Sequence, residues 1–167
     1  MQSKQNLSHQ VGEALAQHGL VLTTAESCTG GGVATAITDI AGSSAWFDRA
    51  FVTYSNEAKI EMLDVSADTL DQYGAVSEPT VREMAQGALA HSRADIAIAI
   101  SGIAGPGGGT QEKPVGTVCF AWCDRHSWQK IETRHFSGNR DAVRSAAVET
   151  ALEVLYKELQ QREKSRS

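Results

Sequence analysis

The segment 95–101 most constrains what this chain can fold into. Ile96, Ile98 and Ile100 alternate with Ala97 and Ala99, so both faces of an extended strand are apolar. Such a strand must be covered on both sides, as at the centre of a parallel sheet.

The flanking segments supply the cover. Leu7, Val11, Ala14 and Leu15 share one face of an N-terminal helix, which Gly19 ends. A short strand over about 20–25 and a small-residue helix over about 31–39, stopped near Gly42, come next. Residues 47–55 are rich in aromatic and β-branched side chains and read as a second strand. Short helices over 56–63 and 67–73 follow, the second ending at Gly74. Ser77-Glu78-Pro79 opens a longer helix to about Ser92, with proline in its first turn.

Beyond the central strand, 115–122 and 128–136 are separated by a hairpin-length connection and should pair antiparallel. Lys130, Glu132 and Arg134 alternate on one face of the second, as on an edge strand. A final helix runs over about 141–159, capped by Asn139, and the charged end 161–167 is expected to fray. No repeat or linker interrupts the pattern. The expectation is one α/β domain over 1–167, a three-layer α/β/α sandwich with a mixed, mostly parallel sheet of about five strands.

The net charge of −5 argues against nucleic-acid binding by bulk electrostatics. Three cysteines, an odd number without framework spacing, suggest a reducing compartment. Cys119 and Cys123 lie four apart on a strand, roughly 13 Å, too far to share one metal ion. The polar start is unlike a signal peptide, and no apolar run approaches the roughly 20 residues of a membrane span. The expected location is the cytoplasm, with no membrane partner.

Ligands of open α/β sheets bind beyond the carboxyl ends of the parallel strands. Three such ends carry groups that a core does not need: Glu26-Ser27-Cys28-Thr29-Gly30-Gly31, Tyr54-Ser55-Asn56-Glu57-Ala58-Lys59, and the glycine-rich loop 101–110. The Walker A and dinucleotide fingerprints are absent. The glycine loop can still wrap a phosphate, with Thr110 and Lys113 adding a hydroxyl and a charge. Ser27, between small residues at a strand-to-helix turn, is the leading nucleophile, and Cys28 is its rival. The histidines at 9, 18, 91, 126 and 135 are poorly placed as bases. Lys59 is better placed, provided that desolvation or a neighbouring cation such as Arg140 lowers its pKa. Tyr54 could orient the amine or the hydroxyl. Each residue also has a structural reading: a cap, a core side chain or a solvated lysine.

Together, Thr24-Ala25-Glu26-Ser27-Cys28-Thr29-Gly30-Gly31, Thr53-Tyr54-Ser55-Asn56-Glu57-Ala58-Lys59, Gly74-Ala75-Val76-Ser77, Ser101-Gly102-Ile103-Ala104-Gly105-Pro106 and Lys113-Pro114-Val115-Gly116-Thr117-Val118 resemble the CinA C-terminal domain family over about residues 8–156. Stand-alone members are nicotinamide-nucleotide amidohydrolases. The resemblance implies hydrolysis of nicotinamide mononucleotide to nicotinate mononucleotide and ammonia by a Ser/Lys mechanism, with no metal and no cofactor. Ser27 matches the nucleophile and Lys59 the base. It also implies a homo-oligomer of the α/β/α fold, without the molybdopterin-binding-like domain of longer members.

Chemistry and loop position add Tyr54 to the catalytic group. They make Glu26, Thr29, Gly30, Gly31, Asn56, Ser101, Gly102, Gly105, Thr110, Lys113 and Arg140 candidate substrate contacts. Backbone N–H groups near Thr29 and Gly30 would hold the oxyanion. The alternative is a non-catalytic nucleotide-binding or regulatory module. A DNA-damage or competence factor, suggested by the family's historical name, is opposed by the acidic balance.

Overall fold

A computed structural model describes residues 3–166 of the chain. The element order is α1 (Lys4–His18), β1 (Leu22–Glu26), α2 (Gly32–Thr38), a 3-10 turn (Ser43–Ala45), β2 (Phe47–Val52), α3 (Asn56–Leu63), α4 (Ala67–Tyr73), α5 (Glu78–Ala90), β3 (Ile96–Gly102), β4 (Thr117–Asp124), β5 (Gln129–His135) and α6 (Arg140–Arg166). The five strands form one sheet in the order β2-β1-β3-β4-β5. The pairings β2–β1 and β1–β3 are parallel, and β3–β4 and β4–β5 are antiparallel. Only β4 therefore runs against the others, and the sheet is mixed and mostly parallel.

The two faces of β3 explain the layers. Ile96, Ile98 and Ile100 join Leu22, Phe120 and Trp122 in a core covered by α1, α2 and α6, which contribute Val11, Leu15, Ile37, Val143 and Leu152. Ala97 and Ala99 face the other way, with Ala25 and Ala121, under Val81, Met84, Ala85 and Ala88 of α5. The small alanines let α5 lie close to the sheet. On the far side of α5, a Cβ at Gly87 would overlap the carbonyl oxygen of Leu63 at the end of α3.

Element boundaries depart from the sequence pattern where side chains intervene. Strand β2 stops at Val52 because Ser55 caps α3, its Oγ accepting from the Ala58 N–H at 3.0 Å. Strand β4 continues to Asp124, whose carboxylate closes the hairpin by accepting from the N–H groups of His126 and Trp128. The same carboxylate accepts from Arg162, which also bonds Glu158 and lies 5.4 Å over the Trp128 ring. These contacts hold α6 against the hairpin, and the charged end expected to fray is helical as far as Arg166. Ser167 lies outside the described residues.

Topology also creates a crevice. After β1 the chain crosses to β2 on one side, whereas β3 leads to β4 on the other. The carboxyl ends of β1 and β3 thus border a switch point, where open α/β sheets bind ligands.

Candidate active site

Ser27 follows the last residue of β1, and its N–H donates to the Ile100 carbonyl of β3 at 3.0 Å. This bond fixes the serine at the crevice between the two strands. The chain then turns into α2 through Gly30 (φ 59°) and Gly31 (φ 97°), a left-handed pair that side chains would strain.

Glu26 locks the turn from beneath. Its fully buried carboxylate accepts from the N–H groups of Val33 (2.9 Å) and Ala34 (3.0 Å) and the hydroxyls of Thr29 (2.6 Å) and Thr24 (3.2 Å). The first free N–H groups of α2 are thereby satisfied by the protein's own anion. The sequence reading made Glu26 and Thr29 substrate contacts; the structure places both inside, bonded to each other. Gly30 and Gly31 face a different cleft, and the Gly30 N–H is taken by the Ser27 carbonyl at 3.0 Å. Of the N–H groups expected to hold the oxyanion, that of Gly30 is thus already bonded within the turn.

Lys59 reaches Ser27 from the second crossover. It lies in the first turns of α3, is 1 % exposed, and its Nζ stands 3.2 Å from Ser27 Oγ. The carbonyls of Thr53 (3.0 Å) and Tyr54 (3.5 Å) accept from the same amine. Burial holds the amine below the ordinary lysine value, because desolvation penalises the ammonium form; the Cys28 thiol opposes this weakly. Of the two causes that the sequence offers, desolvation and a neighbouring cation, it is desolvation that lowers the value. A neutral amine has two N–H groups and one lone pair. In that form, N–H groups directed at the two carbonyls would leave the lone pair for the serine hydroxyl.

Ser27 and Lys59 open onto a cleft of about 290 Å³, whose walls include Tyr54, Asn56, Ser101, Gly102, Gly105 and Arg140. Arg140, at the start of α6, donates to the Gly105 carbonyl (2.8 Å) and to the Tyr54 hydroxyl (3.2 Å). It ties the loops after β2 and β3 across the cleft mouth. Tyr54 is 64 % exposed, so it is no core residue. A Cβ at Gly102 would press on Val118 and Cys28 Sγ, and one at Gly105 (φ 84°) on Val115. Only glycine lets this loop pass so close.

Eight of the sequence candidates meet at this cleft: Ser27, Lys59, Tyr54, Asn56, Ser101, Gly102, Gly105 and Arg140. Thr110 and Lys113 do not. Thr110 Oγ1 accepts from the Lys113 N–H, and Lys113 Nζ donates to the Tyr73 carbonyl at 2.8 Å, so the pair pins its loop to the end of α4. Ala75 and Val76 join the wall from the segment before α5; the motif Gly74-Ala75-Val76-Ser77 was the only sequence signal for them. Cys28 borders the cleft, but burial pushes its thiol up to about 11, which leaves negligible thiolate at neutral pH. Among the described residues no group of three or more His, Cys, Asp or Glu side chains could hold a metal ion. No helix among them is long and apolar enough to cross a membrane.

The family model for the CinA C-terminal domain matches residues 4–159. The chain belongs to the CinA C-terminal domain family. Among relatives of this CinA domain, the nicotinamide-nucleotide amidohydrolase PncC of Escherichia coli (strain K12) is 60 % identical over 155 residues, 93 % of this chain and 94 % of that protein. A putative competence-damage inducible protein of Symbiobacterium thermophilum is 51 % identical over 91 % of this chain but only 38 % of its own length. The crystal structure of the competence damage-inducible protein A from Klebsiella pneumoniae subsp. pneumoniae MGH 78578 superposes with a TM-score of 0.92 at 45 % identity, covering 95 % of this chain and 98 % of that one. The CinA fold thus extends over nearly all of the chain.

Proposed function

We propose that this CinA domain is a nicotinamide-nucleotide amidohydrolase that converts nicotinamide mononucleotide and water to nicotinate mononucleotide and ammonia. The observation that carries the reading is the buried, desolvated Lys59 amine 3.2 Å from Ser27 Oγ. The activity for which the 60 % identical Escherichia coli relative is named supplies the substrate class.

The chemistry follows from the groups present. Neutral Lys59 takes the proton of the Ser27 hydroxyl as Oγ attacks the carboxamide carbon. The charged amine returns that proton to the leaving nitrogen, ammonia departs, and an ester to Ser27 remains. Water, deprotonated by the same amine, cleaves the ester, and the serine regains its proton. Main-chain N–H groups of Ala104 and Gly105, on the cleft wall, serve as oxyanion donors, since those of Gly30 and Ile103 are bonded to carbonyls. Arg140, with Gly107 and Gly108 of the same cleft, holds the phosphate. The enzyme works as a cytoplasmic homo-oligomer without a cofactor.

Ammonia release from nicotinamide mononucleotide tests the reading. Wild-type protein should turn over, and Ser27→Ala should lose roughly a thousandfold or more of kcat while still binding substrate. Binding without turnover by the wild type would leave a nucleotide-binding module instead.

A further inference from the structure

A second cleft, of about 700 Å³, is larger than the one that holds Ser27 and Lys59. It lies behind the nucleophile turn, between α1, α2 and α6. Lys4, Ser8, Gly30, Gly31, Asp39 and Arg144 are on its walls. We infer that this cleft is a second binding site, for a phosphate-bearing small molecule, coupled to the nucleophile turn through Arg144.

Three observations carry the inference. Ser8 is 1 % exposed, and its hydroxyl has no hydrogen-bond partner, although buried hydroxyls are almost always bonded. Lys4 stands in the first turn of α1, where the helix dipole disfavours a cation, and that turn contains no acidic residue. Neither Lys4 nor Arg144 forms an ion pair among the described residues. Two cations and an unbonded hydroxyl on one cleft suit an oxyanion. Asp39, on the exposed end of α2, is the single carboxylate of the wall. It suits sugar hydroxyls and restricts the charged group to the Lys4–Arg144 end. The volume exceeds that needed by a bare phosphate, so the ligand is an organic phosphate.

Arg144 links the two clefts. Its Nε donates to the Cys28 carbonyl (3.1 Å) and one terminal nitrogen to the Thr29 carbonyl (3.3 Å). These are the carbonyls of the two residues that follow Ser27. An anion that draws on the guanidinium therefore shifts hydrogen bonds that set the serine's turn. By linkage, substrate in the catalytic cleft must alter affinity here by the same factor.

The probe is ribose 5-phosphate, titrated into ¹⁵N-labelled protein and followed by amide NMR. Saturable shifts of Ser8, Gly31 and Thr35 are expected. Lys4→Gln and Ser8→Val should each weaken those shifts roughly tenfold while leaving the shifts of Gly102 and Gly107 in the catalytic cleft unchanged. Lys157→Gln, on the exposed face of α6, should change neither set. Shifts confined to the catalytic cleft, or equal weakening by Lys157→Gln, would overturn the second site. The coupling arm alone rests on Ser27 as nucleophile: the probe at saturation should change kcat in wild type and not in Lys4→Gln. A probe that binds at Ser8 and Gly31 without moving kcat overturns the coupling, whereas an inactive wild type that still binds there refutes the amidohydrolase reading and spares the site.

Discussion

The Nζ of Lys59 stands 3.2 Å from the Oγ of Ser27, though 32 residues separate them in the chain. Parallel pairing of β1 with β2 puts both strand ends at the same edge of the sheet, and α3 starts directly beyond. Burial of the amine makes this proximity chemically useful, since an exposed lysine would hold its proton at neutral pH.

The pH dependence of turnover should follow the amine. Only neutral Lys59 accepts a proton, so kcat/KM should rise with pH through the lowered pKa, on a limb below the ordinary 10.5. Lys59→Met should lose on the order of 10²–10⁴ of kcat and with it that limb. A limb at the ordinary lysine value would exclude Lys59 as the base.

Stability should carry the same signature. The folded chain releases the Lys59 proton at lower pH than the unfolded chain, so the unfolded state binds more protons between the lowered value and 10.5. Stability therefore rises with pH across that window, and below it the desolvation cost is felt in full. Denaturant titrations of wild type and Lys59→Met at several pH values should show this slope in the wild type alone.

Glu26→Gln should destabilise the protein by about 2–3 kcal/mol. A carboxamide nitrogen cannot accept from the Val33 and Ala34 N–H groups that the carboxylate now satisfies. Urea unfolding gives the number. Loss of turnover without loss of stability would instead return Glu26 to the substrate-contact role.

Cys28→Ala should retain most activity, and wild-type Cys28 should resist alkylation at pH 7–8, because burial at the cleft's edge pushes its thiol up to about 11. The expected stability cost is about 1 kcal/mol. Inactivation by a thiol reagent traced to Cys28 would contradict the serine assignment.

Arg140→Gln should raise KM roughly tenfold, since it removes the cation proposed to hold the phosphate and the tie between Gly105 and Tyr54. Tyr54→Phe should cost less, and the double variant should be little worse than Arg140→Gln alone. Additive effects would show that the Arg140–Tyr54 bond does not act as a unit.

The apolar alternation of Ile96–Ile100 was enough to mark a doubly covered strand, and the helix and turn signals around it located the elements to within a few residues, except the end of α6, which runs on to Arg166. Such local signals act over one turn or one pleat, so a sequence displays them openly. Ser27 and Lys59 were nameable for the same reason, as polar groups at strand ends. The remaining assignments turned on which way side chains face after the turn, and there Glu26 and Thr29 went inward, Gly30 and Gly31 to the rear cleft, and Thr110 and Lys113 to α4. Orientation of that kind depends on residues distant in the chain: Ile100, Arg144, Tyr73. The sequence by itself determined the layers and the chemically competent residues, because periodicity and residue type are local. Only the tertiary structure decided which of them share a cleft and that the lysine is stripped of water, because desolvation is a property of everything packed around a group.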